Sequence, residues 1–250
     1  MSDHLIEASD LVKRFGRTEV LRGVSFRLDK GETLVIMGGS GSGKTVLLRT
    51  GAGLIRADGG GVRVFGIEIT RLSEEELLPI RRRMGYVFQG AALFDSLSVY
   101  DNVAFPLREH TNAAAAEIRR RVVHVLSLVG LAEDVLPKLP AELSGGMRKR
   151  VGIARALVTE PEMLLFDEPT AGLDPTNSRL VAELILKLKG GVCDTSIVVT
   201  HDVELARTVA DRVAILMDGR FAILGSVDDV MNSSDPAVQA FLAGEVRVTT

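Results

Sequence analysis

The sequence is poor in cysteine, with Cys193 alone among 250 residues. An intrachain disulfide is therefore excluded, a reducing compartment fits, and the lone thiol reads as a small buried hydrophobe. No apolar run approaches the ~20 residues of a membrane span, so a membrane role requires a separate spanning subunit. The opening Met1-Ser2-Asp3-His4-Leu5-Ile6-Glu7 has neither the basic flank nor the apolar stretch of a secretion signal, and a cytoplasmic location is expected. Neither sign of charge dominates: 30 Lys and Arg stand against 33 Asp and Glu, for a formal net charge of −3. That balance argues against a basic nucleic-acid-binding face. Long linkers, low-complexity segments and internal repeats are also missing. The length suits one α/β domain, or a core with a subdomain.

What is present is sharper. Gly38-Gly39-Ser40-Gly41-Ser42-Gly43-Lys44-Thr45 fills the pattern G-x-x-x-x-G-K-[ST], between an apolar strand-like run (Leu34–Met37) and a helical one from Val46. Such glycines let the backbone curl so that successive N–H groups face phosphate oxygens, and the following helix adds its positive end. Lys44 is then expected to reach the β- and γ-phosphates, and the Thr45 hydroxyl to ligate Mg²⁺. A flexible glycine linker is the bland alternative, but it has no reason to sit between strand and helix or to end in Lys-Thr. Far downstream, Met163–Phe166 reads as a core strand ending in Asp167 and Glu168. Strand ends of open α/β sheets are where ligands bind. Asp167 suits the Mg²⁺ shell, and Glu168 suits a base for water attacking the γ-phosphate. Alone, Asp-Glu-Pro-Thr is an ordinary acidic turn; coupled to the glycine loop it is strong.

Strand-like runs at Leu34–Met37, Gly85–Phe88, Met163–Phe166, Ser196–Thr200 and Val213–Met217 alternate with helical patterns, predicting a largely parallel sheet. Val181, Leu184, Ile185 and Leu188 form one helical stripe that stops at Gly190-Gly191. Short pieces at Val24–Leu28 and Gly61–Phe65 suggest a small antiparallel layer. Ser73 and Glu76 make a capping box for a helix running into Arg81-Arg82-Arg83. From Phe94 to about Thr159 the pattern turns helical, with a stripe of Ile118, Val122, Leu126 and Val129 closed by Gly130. Leu143-Ser144-Gly145-Gly146-Met147 precedes a basic amphipathic helix over Arg148–Leu157, with Ser144 as its N-cap.

With these motifs together, the chain resembles the ATPase subunits of ABC transporters over about Leu5 to Gly225. The resemblance implies an α/β P-loop NTPase of RecA-like type, with a mostly parallel sheet, a small antiparallel β layer and an inserted α-helical subdomain. The expected division is a core over 1–90 and 160–225, a helical subdomain over 91–159 and a C-terminal segment over 226–250. It also implies the site. The adenine contact is Phe15, whose other reading is a strand-end core aromatic. Phosphate contacts are Gly38, Ser40, Gly41, Ser42, Gly43, Lys44, Thr45 and Val46. Thr45, Gln89 and Asp167 surround Mg²⁺, and Glu168, Gln89, His201 and Lys44 serve catalysis. Ser144, Gly145 and Gly146 complete the ATP site of a second copy, and Asp174 contacts the opposing subunit. Met147 departs from the family's usual Gln, but the backbone donors remain. His4, His110 and His124 have no motif around them and read as surface or helix-face residues.

Gln89-Gly90-Ala91-Ala92-Leu93-Phe94 through Pro106-Leu107-Arg108-Glu109-His110-Thr111, Leu143–Met147 and Asp235-Pro236-Ala237-Val238-Gln239-Ala240-Phe241-Leu242 look like the ATPases of Mce-type phospholipid transporters. The partners so implied are a second copy, a membrane permease docking near Gln89–Phe105, an Mce-domain lipid-binding protein and a small regulatory subunit, with no nucleic acid. The place implied is the cytoplasmic face of the inner membrane. Leu93, Phe94, Leu97 and Val99 are expected either to line the permease groove or to belong to the subdomain core. Arg81-Arg82-Arg83 and Arg148-Lys149-Arg150 read as solvated faces, with anionic headgroups as the other reading. The tail after Gly244 is too short for a domain, which leaves a clasp on the partner subunit in doubt. Competing functions are an ATPase for a polar solute such as an amino acid, a soluble ABC ATPase acting on DNA or ribosomes, and a simple phosphate-loop kinase.

Overall fold

The computed structural model describes residues 4–244. The expectations for the first three residues and for the tail after Gly244 lie outside the described residues. The chain opens with β1 (His4–Phe15), β2 (Thr18–Asp29), β3 (Thr33–Met37), α1 (Lys44–Gly51), β4 (Gly59–Val64), β5 (Ile67–Glu68) and α2 (Glu74–Arg81). Then come β6 (Met84–Val87), α3 (Val99–His110), α4 (Ala115–Leu128), α5 (Gly145–Leu157), β7 (Met163–Asp167) and α6 (Pro175–Lys189). It closes with β8 (Ser196–Thr200), α7 (Val203–Val209), β9 (Arg212–Met217), β10 (Arg220–Ser226), α8 (Val227–Met231) and α9 (Pro236–Leu242). Two compact units result: the residues up to Arg81 together with those from Asp194 on, and Arg82–Cys193.

In the first unit β3 pairs in parallel with both β8 and β9, and β10 pairs antiparallel with β9. Every residue of β3 and β8 is buried, which is why both read as unbroken apolar runs rather than alternating ones. A separate antiparallel sheet has the order β2-β1-β4-β5. The sequence suggested this layer but missed β1. A bulge between Ala8 and Leu11 and the left-handed Asp10 (φ 49°) shift the register there, and so break the two-residue alternation that marks a strand. The expected piece at Val24–Leu28 is the second half of a twelve-residue strand. Ser73 and Glu76 do form a capping box, the Ser73 N–H donating to Glu76 Oε2 at 2.8 Å and the Glu76 N–H to Ser73 Oγ at 3.3 Å. The helix ends at Arg81, so Arg82 and Arg83 lie beyond it.

In the second unit β6 runs parallel to β7, and α3 and α4 pack on α5. The stripe of Ile118, Val122, Leu126 and Val129 is buried as its spacing required, and Gly130 follows at φ 68°. One expectation is corrected. α5 starts at Gly145, not Arg148, because Ser144 is its N-cap and accepts the Met147 N–H at 3.2 Å. Of the two readings offered for Val99, groove or subdomain core, the core one holds: it is fully buried as the first residue of α3. Cys193 is buried, as expected. Among the described residues, no helix is long and apolar enough to cross a membrane.

Candidate active site

In the first unit the glycine loop leaves β3 and enters α1 through Gly43, a left-handed N-cap at φ 104° that offers no side-chain cap. First-turn N–H groups have no intrahelical partners, and here no cap side chain competes with an incoming anion for them. Lys44 is buried, and its ammonium donates to the carbonyls of Gly38 at 2.8 Å and Gly39 at 3.0 Å. The loop thereby holds its own cation across its mouth, a strong donor to phosphate. Ser40 and Ser42 share a cavity of about 920 Å³ with Thr18 and Val20 of β2 and Ala240 and Phe241 of α9, a size suited to a small-molecule ligand. Thr45 and Val46 occupy the first turn of α1. Phe15 is half exposed at the end of β1, outside that lining, with the Lys13 ammonium 5.3 Å from its ring centre. His201 is exposed directly after β8.

In the second unit Asp167 ends β7 and is buried, and the Tyr86 hydroxyl donates to its Oδ2 at 3.1 Å. Glu168 follows, 7% exposed and left-handed at φ 49°. Strained backbone of this kind clusters at functional sites. Gln89 is exposed two residues beyond β6. Ser144, Gly145 and Gly146 form the N-terminus of α5. A Cβ on Gly146 would come within 2.4 Å of Asn177 Oδ1. Asn177 is in turn bound by Asp174, the N-cap of α6, whose Oδ1 accepts the Asn177 N–H at 3.0 Å. Those hydrogen bonds from Asn177 hold the Asp174 carboxyl below its usual range.

Sequence reading missed Tyr86, Asn177 and Lys149. Lys149 was assigned with Arg148 and Arg150 to a solvated face; it is instead buried. The signal was helical spacing, which puts Lys149 on the same face as the buried Ile153 and Ala156. Arg150 is likewise occupied, donating to the Gly130 carbonyl at 2.9 Å.

The family model described as "ABC transporter" matches residues 21–171. The chain belongs to that family. It is an α/β ATP-binding cassette of the kind that hydrolyses ATP in such transporters. The cassette is 42% identical over 239 residues to the Mycobacterium tuberculosis protein named "Probable ribonucleotide transport ATP-binding protein mkl", a match covering 96% of this chain and 66% of that relative's length. It is 40% identical over 245 residues to the Haemophilus influenzae "Intermembrane phospholipid transport system ATP-binding protein MlaF", covering 98% of this chain and 92% of MlaF. Among solved structures, the dimeric ATP-binding cassette MJ0796 bound to ADP and Pi matches with a TM-score of 0.82 and 33% identity, covering 89% of this cassette and 98% of that chain.

Proposed function

We propose that the chain hydrolyses ATP as the motor of a transporter that moves phospholipid between the inner and outer membranes with an Mce-domain protein. Lys44, with Gly38, Ser40–Gly43, Thr45 and Val46, binds the phosphates of ATP, and Phe15 stacks on the adenine. Magnesium bound with ATP neutralises developing phosphate charge; the oxygen donors of Thr45, Gln89 and Asp167 suit that hard cation. Glu168 takes the proton of the attacking water, and His201 and Gln89 contact the γ-phosphate and the water. Ser144, Gly145 and Gly146 of a second copy cover the phosphates, giving a head-to-tail homodimer with two composite sites. Asp174 meets the opposing copy. Water is excluded only when both copies close, and ATP then favours one of two states of the attached permease.

The observation that carries the cargo assignment is the match to MlaF over 92% of its length. The permease docks on the Gln89–Phe105 segment at the cytoplasmic face of the inner membrane. There Phe94 and Phe105 are 44% and 37% exposed, with ring centres 4.9 Å apart, apolar surface of the kind that coupling helices cover. The name of mkl supports a polar cargo as the second reading. The test is mass spectrometry of what co-purifies with tagged Glu168→Gln protein from native membranes in detergent. A spanning permease, an Mce-domain protein and phospholipid are expected; a permease with a soluble polar-solute receptor would replace the lipid assignment.

A further inference from the structure

Lys149 stands on α5 five residues after Ser144, with 6% of its surface exposed. Its ammonium donates to the backbone carbonyl of Glu168 at 3.1 Å and to the carbonyl of Gln89. A buried ammonium is costly unless its donors are met. Burial pushes the Lys149 pKa down, while the nearby Glu168 and Asp167 carboxylates pull it back up. The Glu168 carbonyl also accepts the Ala171 N–H at 3.2 Å, so both of its lone pairs are used. Those two bonds hold a residue whose φ of 49° is uncommon for a glutamate.

The same helix grips the loop after Gln89 a second time. The Arg155 guanidinium donates to the carbonyls of Ala91 and Ala92 at 2.7 Å each, and both alanines are left-handed, at φ 63° and 47°. An apolar side chain of similar length would fill the volume of Lys149 equally well. What it cannot do is bind two carbonyls from separate segments at once.

We propose that Lys149 is a positioning residue for ATP hydrolysis: by holding the carbonyls of Glu168 and Gln89, it fixes the backbones from which the catalytic carboxylate and the water-contacting amide project. The inference rests on the roles given to Glu168 and Gln89 above. Lys149 acts through those residues and not on the nucleotide, so its loss separates turnover from ATP binding.

The test compares steady-state hydrolysis, ATP titration and thermal melting for the full-length wild type, Lys149→Met, Lys149→Gln and Glu168→Gln. Lys149→Met is expected to lower kcat roughly 10- to 100-fold through misplacement of the reacting groups, with KM for ATP within about twofold of wild type. Lys149→Gln, which keeps an uncharged double donor, is expected to recover part of the loss. Wild-type kcat in Lys149→Met overturns the proposal. If Lys149→Met does not fold, Lys149→Gln decides: lowered kcat with unchanged KM sustains positioning, whereas wild-type kcat, or loss of folding here too, leaves Lys149 a scaffold residue and overturns it. Turnover retained in Glu168→Gln removes the base role itself; an inactive Glu168→Gln beside a fully active Lys149→Met removes only the positioning role.

Discussion

Replacing Gly38 by alanine probes the phosphate loop where it has least room. A Cβ at this position would lie 2.5 Å from the carbonyl oxygen of Leu216 and 2.6 Å from Ser42 Oγ. The serine can rotate; the carbonyl cannot, because Leu216 is fully buried in β9 and paired with Phe221 of β10. Ordinary van der Waals contact requires the loop to move away by roughly 1 Å. Overpacking of this kind costs about 1–3 kcal/mol. If the strain is relieved by displacing the loop, the Lys44 contacts to the Gly38 and Gly39 carbonyls open with it. A loss of 1–3 kcal/mol in ATP binding is about 5- to 150-fold in affinity. Titration with a fluorescent ATP analogue, with a thermal melt on the same samples, measures both terms. Gly51→Ala is the control, since nothing lies within 4 Å of a Cβ there. Wild-type affinity together with a wild-type melting midpoint in Gly38→Ala would refute the geometry assigned to the loop.

Asn102 is fully buried, and its amide donates to the carbonyls of Phe94, Leu97 and Ser98 at 3.1, 3.0 and 3.0 Å while its Oδ1 accepts the Phe94 N–H at 2.8 Å. Asn102→Ala is expected to destabilise the protein by about 1–3 kcal/mol and to speed hydrogen exchange at the Phe94 amide; unchanged values for both would contradict that role. Glu117 has its pKa pulled down to about 2 by Arg120 and then Arg121. A folded pKa below the unfolded value means that its contribution is complete above the ordinary carboxylate range and disappears as pH falls toward about 2. The difference in melting midpoint between wild type and Glu117→Gln should accordingly shrink on acidification and with added salt, and a difference that grows would reverse the sign of the coupling.

The fold was legible wherever burial is two-sided. β3, β7 and β8 are buried along their whole length, so their apolar runs marked the core and the loops beyond it. β1 was not legible, because its pairing slips around Asp10 and residues on opposite faces exchange places. The glycine loop between β3 and α1 could be located because its pattern is local: eight consecutive residues carry the glycines, the cation and the hydroxyl. Lys149 and Tyr86 escaped notice because their partners, Gln89, Glu168 and Asp167, are 60, 19 and 81 residues away. A charge between two arginines looks solvated until the helix phase places it inward. Val99 was left between groove and core, since nothing in the sequence around Phe94 chooses between them; the structure decides, with Ser98 capping the helix and Val99 buried at its first position.

The composite ATP site is the central claim, and light scattering of purified Glu168→Gln protein across ATP and ADP titrations tests it most directly. On the proposed mechanism, in which Ser144, Gly145 and Gly146 of the second copy contact the γ-phosphate, ATP should convert monomer to dimer while ADP leaves it monomeric. A protein that binds ATP yet remains monomeric at every concentration, or that dimerises equally with ADP, would contradict it.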